Sequence, residues 1–74
     1  MANRIFLITQ YIEKHKTGFG VARLMMMSGV NVRSYGAQDP DQLEALARVR
    51  QVLPDLLSGQ ELQELERFLS EAGT

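Results

Sequence analysis

The apolar residues between Leu43 and Ala72 recur at intervals of three and four, a period that gathers side chains on one face of a helix and scatters them on a strand. Leu43, Leu46, Val49 and Leu53 form one such row, and Leu62, Leu65, Phe68, Leu69 and Ala72 form another. Glu64, Arg67 and Glu71 fall opposite the second row, where their i,i+3 and i,i+4 spacing lets Arg67 pair with either acid. Glu44 and Arg48 have the same relation beside the first row.

Helix boundaries are written between these rows. Asp39-Pro40-Asp41-Gln42 places a capping acid, a proline at the first helical position, an acid in the first turn and a glutamine at the third. Pro54 predicts a break or kink near Leu53. Ser58-Gly59-Gln60-Glu61 reads as a capping box opening a final helix, with Gly73 as its stop.

The N-terminal half carries weaker versions of the same signals. Asn3 is a good N-cap for a first helix from about Arg4 to Lys16, with Lys14, His15 and Lys16 suited to its negative C-terminal end and Gly18 as its stop. Ile5, Leu7, Ile8, Tyr11, Ile12 and His15 share one face, while Thr9, Gln10, Glu13, Lys14 and Lys16 lie opposite. Phe6 falls on that polar side, so another segment must cover it or it is exposed. A short second helix is expected from about Gly20 to Ser28, closing at Gly29 and apolar nearly all round through Val21, Ala22, Leu24, Met25, Met26 and Met27, with Arg23 as the interruption. Residues 30–38 read as a loop, or as one helical turn begun at Asn31 and ended by Gly36.

The expectation is a single all-α domain over residues 1–74, a compact array of four short helices with the second the shortest. Its core is expected to hold Ile5, Ile8, Ile12, Val21, Leu24, Leu43, Leu46, Val49, Leu53, Leu62, Leu65 and Leu69. A chain of 74 residues buries only about 60% of its unfolded surface. Self-association is therefore a natural way to add burial. There is no cysteine, so neither disulfides nor thiolate metal sites support the fold. The apolar run Ile5–Ile8 is too short for a signal peptide or a membrane span, and a cytoplasmic protein without membrane attachment is expected.

Charge divides unevenly. Residues 1–36 carry Arg4, Lys14, Lys16, Arg23 and Arg33 against Glu13 alone, a net +4. Residues 37–74 carry Arg48, Arg50 and Arg67 against eight acids, a net −5. The two halves either neutralise each other within one fold or offer a basic surface to an anionic partner.

Catalytic constellations are missing from the sequence. His15 is the only histidine, which makes neither a triad nor a metal site, and it reads as a core-boundary residue bonded to a carbonyl. No zincin, phosphate-loop or calcium-loop motif occurs. Asp39 and Asp41 are explained by capping. No enzyme, cofactor, metal or small-molecule substrate is expected. Arg50 projects between Leu43 and Leu46 and reads as a snorkelling side chain paired with a glutamate of the last helix; the functional alternative is an anchor for an anionic ligand.

Two functional readings remain. In the first, the chain is a non-catalytic interaction module, a small adaptor or regulator that binds a protein or a second copy of itself. Its contact residues would be Phe6, Arg23, Met26 and Met27, methionine being suited to adaptable surfaces. In the second, it is a small DNA-binding regulator using residues 17–38. Ser28-Gly29-Val30 would then be the turn of a helix-turn-helix with Arg23, Asn31 and Arg33 as contacts, or Thr17-Gly18-Phe19-Gly20 the hairpin of a helix–hairpin–helix. A net acidic chain lacks the strong phosphate attraction that DNA binding usually draws on.

Overall fold

The computed structural model describes residues 2–72 and is all-helical, with three α-helices rather than the four expected. Helix α1 spans Arg4–Ser28, α2 Leu43–Leu56 and α3 Gly59–Ala72, and a 3-10 turn, Val32–Ser34, lies between α1 and α2. The Cα radius of gyration is 11.1 Å, matching the roughly 11 Å expected of a closed chain of this length. α1 packs against every other element, so the interior is arranged around it.

The first two expected helices are one element because the chain turns on a single residue. Thr17 has φ 62° and ψ −174°, while Gly18, the expected stop, stays outside the left-handed region. A β-branched residue in that conformation stores on the order of 1–3 kcal/mol. Three residues later the two halves of α1 come together at Gly20. A Cβ there would lie 2.5 Å from Lys16 Cβ and 3.1 Å from Ile12 Cγ2. The helix then runs to Gly29, whose φ of 71° and N–H bond to Met25 O make the expected left-handed stop.

The expected start of α2 is displaced by tertiary bonds. Its preceding residue is Gln42, in extended conformation, and the helix begins at Leu43. Asp39 does not cap it. Asp39 Oδ2 instead accepts from Gly36 N at 2.7 Å, and Asp41 accepts from Arg4 N at 2.9 Å and from Arg4 Nε at 2.8 Å. Pro54 does not end α2, which continues to Leu56 and closes with a Leu57 N bond to Leu53 O. A proline this near the terminus removes one helical bond from the last turns only. The Ser58 capping box forms as expected, with Glu61 N donating to Ser58 Oγ at 3.2 Å and Ser58 N to Glu61 Oε1 at 2.8 Å. Gly73 lies outside the described residues.

Ten of the twelve expected core residues are buried. Leu43 is 71% exposed because it sits in the first turn of α2, and Leu62 is half-buried. Leu7, Tyr11, Val30, Val32 and Leu57 complete the core. The side of α1 expected to face solvent is covered instead. Thr9 is buried with Oγ1 donating to Ile5 O, and Phe6 is half-buried beside Val32, Arg33 and Tyr35. The residue 30–38 segment is thus a lid on α1, with its 3-10 turn following Asn31 as one of the two expected readings had it.

Two polar clamps hold the array. At the start of α1, Asn3 is 1% exposed. Its Oδ1 accepts from Phe6 N at 2.9 Å, its Nδ2 donates to Asp39 O and Pro40 O at 3.2 Å each, and its N–H donates to Ala37 O at 2.9 Å. At the start of α3, Glu61 Oε2 pairs with Lys16 Nζ at 2.9 Å, and the Tyr11 hydroxyl donates to Glu64 Oε2 at 3.2 Å. Burial, and then the Glu64 carboxylate, push the Tyr11 phenol above its ordinary pKa. Bonds from the Arg4 backbone and guanidinium hold the Asp41 carboxyl below the usual range, and the Ser58 N–H and then Lys16 do the same for Glu61.

These contacts set three expected outcomes. Gly20→Ala lowers the melting temperature by about 1–3 kcal/mol equivalent of overpacking; Gly18→Ala, with nothing within 4 Å of the new methyl, leaves it unchanged or raised. Asn3→Ala loses about 2–3 kcal/mol in chemical denaturation, for a cap and two bonds to carbonyls. Asn3→Asp keeps the capping oxygen yet also destabilises, because an acceptor then faces those two carbonyls. Because Asp41 and Glu61 have depressed folded-state pKa values, their stabilisation is present above the ordinary carboxylate range, about pH 4, and is lost as pH falls below it. The stability gap between wild type and Asp41→Asn therefore closes on acidification in a urea series run at successive pH values.

Candidate interaction face

Beyond the Thr17 break, α1 buries Gly20, Val21 and Leu24 and turns its other side outward. At 100° per residue, Phe19, Ala22, Arg23, Met26 and Met27 fall within one exposed sector. Phe19 is 83% exposed, Met26 84% and Met27 40%, and Ala22 and Arg23 are exposed beside them. Phe19 and Met26 stand two turns apart with Ala22 between them, so the apolar row runs along the helix axis. Thr17, Gly18, Phe19 and Ala22 line a shallow recess at its N-terminal end. The row exposes roughly 400 Å² of apolar surface, on the scale of the largest patch of an ordinary monomer and often a functional one.

The electrostatics of the face are one-sided. From Lys14 to Gln38 the chain contains four cations and no Asp or Glu. Among the described residues five cations are engaged in ion pairs: Arg4 with Asp41, Lys16 with Glu61, Arg33 with Glu13, Arg48 with Glu44 and Arg50 with Glu66, at 2.7–3.2 Å. The first two join the basic half to the acidic half. Arg23 has no carboxylate within ion-pair distance among the described residues.

The residues singled out from sequence are distributed unequally around this face. Arg23, Met26 and Met27 belong to it. Phe6 precedes Phe19 by about three and a half turns, lies on the other side of the Thr17 break, and packs beneath Val32–Tyr35. Phe19 was not among the expected contacts, because its flanking glycines read as a link between helices. Its i,i+3 and i,i+7 relation to Ala22 and Met26 was the available signal.

The nucleic-acid candidates do not come together as a recognition element. After Gly29 the chain makes only the three-residue turn Val32–Ser34 before α2, and between the two halves of α1 it leaves helical geometry at Thr17 alone. Arg33 is held by Glu13 at 2.8 Å, a bond that lowers the Glu13 pKa and raises that of Arg33. Asn31 is exposed, and its carbonyl accepts from Ser34 N and Oγ.

Two further features complete the surface. His15 is exposed rather than at the core boundary, with its ring centroid 4.2 Å from that of Tyr11. The two rings, with Phe68, Gln10, Glu13, Lys14 and Glu64, line an open groove of about 660 Å³ between α1 and α3. Arg50 makes the expected pair with a glutamate of the last helix, Glu66. Among the described residues no cluster of three or more His, Cys, Asp or Glu has metal-binding geometry, and no helix is long and apolar enough to cross a membrane. Comparison with protein-family models, with curated proteins and with solved structures gives no match to this chain.

Proposed function

We propose that this protein is a non-catalytic interaction module, an adaptor or regulator that binds another protein through the outer face of α1, with Phe19 and Met26 as anchors and Ala22, Arg23 and Met27 around them. The single observation supporting this reading is the exposure of Phe19 and Met26, both above 80%, on a helix whose other side is fully packed. Transferring each side chain from water into a partner's surface is worth about 1.5–3 kcal/mol. A small domain that leaves both in water forgoes that gain unless a partner supplies it. Methionine adapts to the shape it meets and aromatic residues serve as anchors, so the composition suits a contact surface.

The DNA-binding alternative draws on the absence of acids between Lys14 and Gln38. It has less support, because Lys16 and Arg33 are already paired with carboxylates and the chain directly after Gly29 makes only a 3-10 turn before α2.

The test is co-purification of the tagged protein from its native cell, comparing wild type with Phe19→Ser/Met26→Ser. The doubly substituted protein keeps its circular dichroism spectrum and its melting temperature within experimental spread, since surface changes of this kind stay within about ±0.5 kcal/mol. A partner captured by wild type and lost from the variant supports the reading. A partner retained by the variant moves the contact elsewhere. Steeply salt-dependent binding to generic duplex DNA that Arg23→Ala weakens would favour the alternative.

A further inference from the structure

We infer that the occupant of this face is an acidic amphipathic helix of another protein, its apolar row laid along Phe19, Ala22 and Met26 and a flanking carboxylate meeting Arg23; the inference rests on the interaction reading above.

Charge selects the partner's sign. Arg23 stands inside the apolar sector with no carboxylate in reach among the described residues, whereas Arg4, Lys16, Arg33, Arg48 and Arg50 each have one; Lys14 and Arg67, also without an ion pair there, lie outside this sector. No acid lies in the stretch from Lys14 to Gln38, so the face has nothing of its own to offer Arg23. A second copy of the same face fits poorly. Antiparallel twofold pairing centred on the row brings the two Arg23 side chains together, a like-charge contact with no acid to relieve it.

Shape suits a helix. The row follows the α1 axis for about 10 Å between Phe19 and Met26, and the shallow recess lined by Thr17, Gly18, Phe19 and Ala22 at its N-terminal end can receive a side chain of a crossing helix. An anionic bilayer would also meet an apolar row beside a cation. Recognition of anionic lipid draws on clusters of about 4–8 Lys or Arg, and the row carries Arg23 alone.

The experiment uses the intact chain and three fluorescein-labelled synthetic helices of about five turns, identical in their leucine row and differing only in flanking residues: glutamate, glutamine or lysine. Fluorescence anisotropy is expected to rank them glutamate, glutamine, lysine, with steps of about two- to fivefold in Kd, the range of exposed ion pairs. Arg23→Glu is expected to invert the order, and Phe19→Ser to weaken all three. Equal affinities, an order that Arg23→Glu leaves standing, or no binding of any peptide overturns the inference. Sedimentation velocity showing a wild-type dimer that Phe19→Ser dissolves would assign the face to a second copy, and Phe19-dependent binding to phosphatidylglycerol vesicles would assign it to a membrane. Either result overturns it. If the cellular partner depends on Phe19 and Met26 but binds Arg23→Glu undiminished, the interaction reading survives and the acidic helix does not.

Discussion

The amide of Asn3 is the contact on which the rest of the array depends. A capping oxygen bonded to Phe6 N starts α1, and the same side chain's nitrogen holds the carbonyls of Asp39 and Pro40, more than thirty residues away in sequence. Asparagine is the one standard residue of this size that presents both an acceptor and two donor hydrogens from one planar group. Serine or aspartate would cap the helix equally well and leave the loop untied. With the loop fixed, Asp41 falls on Arg4, and the chain from Gly29 to Gln42 lies back along α1 with Val30 and Val32 buried beneath it. The cap of α1, the Arg33–Glu13 pair and the burial of Val30 and Val32 together hold the cover on its second side.

Thr17 resolves the problem that this covering creates. A straight helix of 25 residues would extend about 37 Å, longer than the largest dimension of the molecule, 26 Å. The chain must bend, and it does so where Gly20 lets the second half pass close to Ile12 and Lys16. The strain at Thr17 is set against the burial of Val21 and Leu24, both wholly inside. Thr17 Oγ1 also accepts from Phe19 N at 3.3 Å, which caps the new helical segment. The same bend that buries one side of residues 18–28 turns Phe19 and Met26 outward.

Sequence period was sufficient wherever a helix has one buried face. Leu65 and Leu69 in α3 and its Ser58–Glu61 box stand as read, and so do Leu46, Val49 and Leu53 in α2, while Leu62 and Phe68 are half-buried and Ala72 is exposed. It was insufficient where a residue is engaged outside its own helix. Asp39 and Asp41 have the composition of a helix start, but one closes the local turn at Gly36 and the other binds Arg4 across the fold. Phe6 and Thr9 sit on the polar side of α1 by angle, and only the lid from residues 30–38 makes that side interior. Gly18 is the residue that chemistry favours for a left-handed turn, yet the chain places that turn at Thr17, a choice set by packing at Gly20 and invisible to local propensity. The candidate face was half legible: the methionines and Arg23 announced it, and Phe19 was hidden by its glycines.

The electrostatic pairing explains how this face is left without an acid. The basic half of the chain gives Arg4 and Lys16 to acids of the other half, and gives Arg33 to its one acid, Glu13. Those pairs draw the loop and α3 against the first half of α1, before the bend and along the covering segment. Nothing comparable reaches the outer side of residues 19–27. A carboxylate there would have to come from α2 or α3, where Glu44 and Glu66 face Arg48 and Arg50, and Glu61 and Glu64 face Lys16 and Tyr11. What remains is an apolar row with one unpaired cation, held rigid by a packed inner side and a capped start. A rigid presenting helix loses little conformational freedom on docking, which is the condition under which so small a patch can still bind.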